Sequence, residues 1–90
     1  MSILATIPDS RVADVRVAEA SLIVSLRDGR EIRTPLAWFP RLAAATVQER
    51  AKWEPAAGGH GIHWPLIDED LSIDGLLHGQ SAPPNAPRSR

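Results

Sequence analysis

The hydrophobic period of this chain changes once, near Pro35, and that change constrains the fold more than any other feature. Before Pro35 apolar and polar residues alternate, as on a strand with one solvated face; beyond it apolar residues recur at helical spacing. From Val12 to Ala18, Val15 and Val17 alternate with Asp14 and Arg16. After a short turn at Glu19, a second strand has Leu22, Val24 and Leu26 on one face and Ser21, Ile23 and Ser25 on the other, so both faces are partly apolar. Asp28-Gly29, between Arg27 and Arg30, is the dipeptide that best tolerates the positive φ of a type I′ turn, and it predicts a tight hairpin. A third strand runs from Arg30 to Thr34, and Pro35 ends it by removing a ladder donor. The reading is a three-stranded antiparallel meander.

Beyond Pro35 the spacing of Leu36, Phe39 and Leu42 predicts one or two helical turns, and Pro40 fits a first turn. Thr46 with Glu49 three residues later has the form of a capping box, which predicts a helix from Val47 to about Trp53. Gly58, Gly59 and Gly61 mark a flexible turn, Ile62 to Trp64 reads as a short fourth strand, and Pro65 stops it. Ser72 can cap a last helix carrying Ile73, Leu76 and Leu77, whose positive end favours the preceding acids. From Gln80 the segment SAPPNAPRSR offers nothing large to pack and reads as a disordered Pro-rich tail. The fold class expected is α+β: one small domain over residues 1–79 and a tail over residues 80–90.

At 90 residues the chain supports one core, and about 60 to 65 per cent of the unfolded surface can be buried. Hydrophobic residues at 43% and charged residues at 23% are ordinary for a soluble protein, no apolar run is long enough to span a bilayer, and the first residues do not read as a secretory signal. A cytoplasmic location is expected. The chain has no cysteine, so disulfide and thiolate chemistry are excluded and a zinc site would need His and carboxylates alone.

Four kinds of site compete. For metal, His60 and His63 with Asp68, Glu69, Asp70, Asp74 and His78 supply donors, but residues three apart on a strand face opposite ways and the spacing matches neither HExxH nor a calcium loop. No metal ligands and no cofactor are therefore assigned. For acid–base catalysis, the Asp68-Glu69-Asp70 triplet could split its pKa values, yet no nucleophile elbow or phosphate loop accompanies it, and capping is the commoner role of acids before a helix. No catalytic residue is assigned. For nucleic acid, residues 27–52 carry six cations (Arg27, Arg30, Arg33, Arg41, Arg50, Lys52) against Asp28, Glu31 and Glu49, a local +3. Residues 53–80 carry five acids and no Lys or Arg, and the whole chain sits at −1, so autonomous nucleic-acid binding is not expected. For protein partners, the acidic half and the open edge of a meander offer a docking face. Asp68, Glu69, Asp70 and Asp74 are the partner-binding candidates, and His63 and Trp64 are candidate ligand contacts. Trp38, Trp53 and Trp64 are read as core first and interface anchors second.

The runs W-F-P-R-L-x-x-A-T-x-x-x-R-x-x-W-E, from Trp38 to Glu54, and G-x-G-I-H-W-P-x-x-D-E-D-x-S-x-x-G-L-L, from Gly59 to Leu77, resemble a bacterial family known as domain of unknown function 2442. The resemblance covers roughly residues 12–79 and implies a small α+β domain. It also implies associations: longer relatives continue into a helix-turn-helix segment, and genes of the family often sit beside a second small gene in toxin–antitoxin-like pairs. This chain has the Pro-rich tail in place of that segment. It also departs from the pattern with Pro55-Ala56-Ala57 after Glu54 and with His60 at a position where an aromatic is common. The function expected is a non-enzymatic interaction module, an antitoxin-like or regulatory partner of another small bacterial protein of basic character, itself a homodimer. The alternative is a small metal- or ligand-binding enzyme centred on His63 and the acidic triplet.

Overall fold

The computed structural model describes residues 7–79, so the expected tail lies outside the described residues. Two three-stranded antiparallel sheets, each a meander, enclose one core. Sheet A consists of β1 (Val12–Ala18), β2 (Ser21–Leu26) and β3 (Glu31–Pro35). Sheet B consists of β4 (Glu54–Ala56), β5 (Gly61–Trp64) and β6 (Glu69–Ser72). Between them run a 3₁₀ turn (Leu36–Trp38), α1 (Pro40–Ala44) and α2 (Val47–Ala51), and α3 (Ile73–Leu77) follows β6. The chain belongs to the α+β class.

Sheet A follows from its alternation. Val15, Val17, Leu22, Val24 and Ile32 share the inner face through the pairs Val15↔Val24↔Ile32 and Val17↔Leu22. A register shift between Val12 and Asp14 inserts a bulge, which is why Val12 is also buried although it lies three positions from Val15. Ile23 lies on the outer face between Arg16 and Arg33, yet it is only 1% exposed.

The type I′ turn expected at Asp28-Gly29 is found instead at the other hairpin of sheet A, which the sequence marks only as a short turn. The type I′ geometry, with both central residues at positive φ, belongs to Glu19 (φ 50°) and Ala20 (φ 66°), which connect the Ala18↔Ser21 pair. At Asp28-Gly29 only Gly29 has positive φ, at 97°. There Gly29 N donates to Leu26 O (3.1 Å) and Leu26 N to Arg30 O (2.9 Å), a three-residue loop that ends in a glycine bulge. Asp28 acts through its side chain instead. Its carboxylate accepts from Asp9 N (2.9 Å) and Arg30 N (3.1 Å) and is ion-paired to Arg30 (2.8 Å). The Arg30 guanidinium, first among these partners, pulls the Asp28 carboxyl down to about 2.

Thr46 and Glu49 form the capping box in both directions: Glu49 N donates to Thr46 Oγ1 (3.1 Å) and Thr46 N to Glu49 Oε1 (2.8 Å). The helix is shorter than expected and ends at Ala51, because Lys52 leaves the helical region (ψ 57°) and sends Trp53 toward the core. Ser72 caps α3 as expected, its Oγ accepting from Gly75 N (2.8 Å). Sheet B is the larger departure. Ile62 to Trp64 is a strand, but it is the middle of three, flanked by β4 and β6, neither of which the sequence pattern predicts. The core runs from Val12, Leu22 and Leu26 through Phe39 and Leu42 to Ile62, Trp64, Ile73 and Leu76.

Candidate functional site

Sheet B determines where every candidate residue points. Its cross-strand rows are Glu54↔His63↔Asp70, Pro55↔Ile62↔Leu71 and Ala56↔Gly61↔Ser72, and Trp64 pairs with Glu69. Since neighbouring residues on a strand face opposite ways, Ile62, Trp64, Glu69 and Leu71 face the core. Glu54, His63, Asp70 and Ser72 face outward.

The Asp68-Glu69-Asp70 triplet is therefore divided three ways. Asp68 closes the β5–β6 loop at positive φ (52°), and its carbonyl accepts from the Arg41 guanidinium. Glu69 is buried on the inner face at 6% exposure, and its Oε1 lies 3.4 Å from Arg41 Nη1. Burial raises the Glu69 carboxyl above its usual range; Arg41 opposes that rise, and Asp70 and Asp68 add to it. Asp70 is exposed on the outer face and accepts from His63 Nδ1 at 2.7 Å. An ionised carboxylate only accepts, so Nδ1 carries the proton, and in its neutral form the ring presents Nε2 as a free acceptor. Glu69 and Asp70 occupy opposite faces and cannot share an acid–base task. Glu69 thus ties α1 to the hairpin and is not part of an exposed acidic face.

Trp64 does not share the outer face with His63. It is fully buried on the face opposite His63, and its Nε1 donates to Arg50 O (3.2 Å). Trp53 packs partly against the core, whereas Trp38 remains 40% exposed. Asp74 is exposed in the first turn of α3, and His78 bonds the Asp74 carbonyl through Nδ1 (2.8 Å). Among the described residues, no three His, Asp or Glu side chains come together to hold a metal ion.

Sequence reasoning misses one feature. A cleft of about 530 Å³ opens on sheet B, lined by Ala56, His60, Gly61, Asp70, Ser72 and Leu76 among others. It exists because Ala56, Gly61 and Ser72 fall in one cross-strand row, leaving space where larger side chains would stand. The sequence signal for it is the small residues Ala56, Ala57, Gly58, Gly59 and Gly61, whose glycines read as a flexible turn.

The cations of residues 27–52 are partly committed elsewhere. Arg30 holds Asp28, Arg41 holds Glu69, and Arg50 caps α1 by donating to Leu42 O (2.9 Å) and Ala43 O (3.0 Å). No helix among the described residues is long and apolar enough to cross a membrane.

This architecture, two small meanders around a tryptophan-centred core with an acidic outer face on the second sheet, defines a small α+β domain class. The chain belongs to the family described as "Protein of unknown function (DUF2442)", whose profile matches residues 12–82. Among solved structures it is similar to a protein of unknown function from Rhodospirillum rubrum, at 30% identity and TM-score 0.68, over 82% of this chain and 92% of that one. It is also similar in fold to the uncharacterised protein CV0863 from Chromobacterium violaceum, at 21% identity and TM-score 0.69, over 82% of this chain and 70% of that one. A search of curated proteins gives no match.

Proposed function

We propose that the protein is a non-enzymatic interaction module of a bacterial cell, located in the cytoplasm, whose acidic sheet-B face docks a basic segment of another small protein in an antitoxin-like or regulatory pair. The observation that carries this reading is the cleft beside Asp70 in a region with no compensating cation: residues 53–79 contain Glu54, Asp68, Glu69, Asp70 and Asp74 and no Lys or Arg. With Glu69 turned inward, the docking acids are Asp68, Asp70, Asp74 and Glu54, all exposed. Such charges act chiefly by steering a partner of opposite sign and fixing its register. Arg41 lies beside Asp68 and Glu69 and Arg50 is engaged at the end of α1, so among the described residues no Lys or Arg pairs with Glu54, Asp70 or Asp74.

The test is purification of the tagged chain from its host beside the variant Asp68→Asn/Asp70→Asn/Asp74→Asn. Replacing exposed acids leaves the fold intact, and a basic protein recovered with the wild type should be lost with the variant. Recovery of the same proteins in the same amounts would overturn the reading.

The His63–Asp70 pair favours a second reading, a ligand- or metal-binding protein in which the oriented His63 acts on a molecule held near the cleft. Metal content of protein purified from the host separates the two. A stoichiometric ion lost on Asp70→Asn would favour this second reading.

A further inference from the structure

Sheet A has an open edge whose sequence is complementary to itself. Among the described residues β1 pairs only with β2, and no other backbone or side-chain hydrogen bond reaches the main chain of residues 12–18. An edge strand of this kind offers unpaired N–H and C=O groups to another chain. Natural edges are commonly blunted by charged side chains, proline, bulges or brevity. β1 is the longest strand among the described residues, at seven, and reads Val-Ala-Asp-Val-Arg-Val-Ala; its bulge lies at the Val12–Asp14 end, and its two charges are of opposite sign.

We propose that two copies of the chain join antiparallel through β1, about a twofold axis at Val15, making one six-stranded sheet. In that register Val15 meets Val15 of the second copy, and the bulge at Ala13 comes opposite Val17. Asp14 lies opposite Arg16 twice, once on each side of the axis. Directly opposed residues on paired strands stand about 4.5 to 5.5 Å apart at Cβ, close enough for each charge pair to act. Asp14 is exposed and has no ion-pair partner among the described residues. Arg16 reaches only a solvated pair with Glu31 at 3.5 Å, which it can exchange at little cost.

The apolar side of the strand supports the same occupant. A groove of about 230 Å³ lies between β1 and α2, lined by Val15, Val17, Val47, Arg50 and Trp64 among others. Val47 is 74% exposed there, a large aliphatic side chain with nothing over it. A second β1 laid along the edge carries its own Val15 and Val17 toward that groove, so charges meet on the outer face and valines on the inner one. β3 forms the other edge and has Glu31-Ile32-Arg33 in the same charge order. Each edge strand touches a helix, β1 touching α2 and β3 touching α3, but β3 is shorter and ends in Pro35, which makes it the poorer edge.

This inference concerns sheet A and is independent of the docking role of sheet B. Sedimentation of the purified full chain tests it. The wild type should dimerise reversibly by about 100 µM, and Asp14→Arg or Arg16→Asp alone should weaken the dimer about tenfold or more by opposing like charges in both rows. Mixing those two single variants should restore association as a heterodimer, and the double swap Asp14→Arg/Arg16→Asp should restore the homodimer. Circular dichroism of each variant confirms that it is folded. A monomeric wild type, dimers indifferent to these changes, or mixed singles that stay apart would each overturn the proposal. So would dissociation caused instead by Glu31→Arg or Arg33→Glu, which should leave the dimer unchanged.

Discussion

Sheet A and sheet B repeat one topology with different materials. The strands of sheet A are seven, six and five residues long, and its inner face is almost continuously Val, Leu and Ile. The strands of sheet B are three, four and four residues long, and its inner positions are Pro55, Ile62, Trp64, Glu69 and Leu71. Only Ile62 and Trp64 among these are fully buried hydrophobics. Sheet A is therefore held by apolar area spread over many residues. Sheet B concentrates its attachment in one indole, one ion pair and the capped α3, and its outer face is left free of structural duty. A face that does not stabilise the fold is the natural place for charge and a cleft.

The largest expected effect breaks that comparison at its narrowest point. Trp64→Ala removes the largest fully buried side chain and also a bond to Arg50 O, so it should cost about 3–5 kcal/mol. In a protein this small that approaches the whole stability. Leu22→Ala in sheet A, equally buried, should cost about 2–5 kcal/mol by the same reasoning, with neighbours on three strands to relax around it. Urea melts of the two variants decide the matter. A milder loss for Trp64 than for Leu22 would mean that sheet B is not hung on its tryptophan.

The same contrast explains what the sequence could reveal. Alternation is readable when a strand is long enough to repeat it, and β1 to β3 were legible to within a residue or two. β4 was hidden by brevity and by Pro55, which an edge strand tolerates. β6 was hidden because one of its two inner residues is Glu69, an acid where the pattern calls for an apolar side chain, and because three adjacent acids resemble a helix approach. The capping box at Thr46 and the cap at Ser72 were legible because they are local chemistry. For the site, the exposure of Asp70 and Asp74 followed from their type, whereas the His63–Asp70 bond and the cleft depend on strand register, which one sequence does not display. Trp64 could be told from a surface anchor only after β5 was placed in the middle of a sheet.

The hairpins of sheet A sharpen the comparison at a smaller scale. Gly29 has φ 97°, and no heavy atom lies within 4 Å of where a Cβ would stand, so Gly29→Val meets no clash at Cβ and costs only backbone strain, at least about 1 kcal/mol. At the other hairpin the strain is already present. Ala20 sits at φ 66° with a Cβ, and Ala20→Gly should stabilise by about 1 kcal/mol. Thermal melts of the two variants should shift in opposite directions. If both fall, Ala20 is fixed by contacts that outweigh its backbone cost.

The smallest expected effect sets one carboxylate of each sheet against the other. Asp28 in sheet A is held down to about 2, first by Arg30 and then by backbone donors, so its contribution is present above the unfolded value of 3.8 and is lost as pH falls toward 2. Glu69 in sheet B is raised above 4.5 by burial, so its contribution has the opposite sign. It is fully present below 4.5, where the carboxyl is protonated in both states, and is lost as pH rises through the folded value. Acidification from pH 7 toward 4.5 should therefore stabilise the wild type relative to Glu69→Gln, which has no carboxyl to protonate. Further acidification below pH 3.8 should destabilise the wild type relative to Asp28→Asn, which has no charge to lose. Urea midpoints for the three proteins at several pH values between 7 and 2 give both differences directly. Parallel curves for Glu69→Gln and the wild type above pH 4.5 would mean that Arg41 fully offsets the burial of Glu69, and that the ion pair anchoring sheet B carries no penalty at neutral pH.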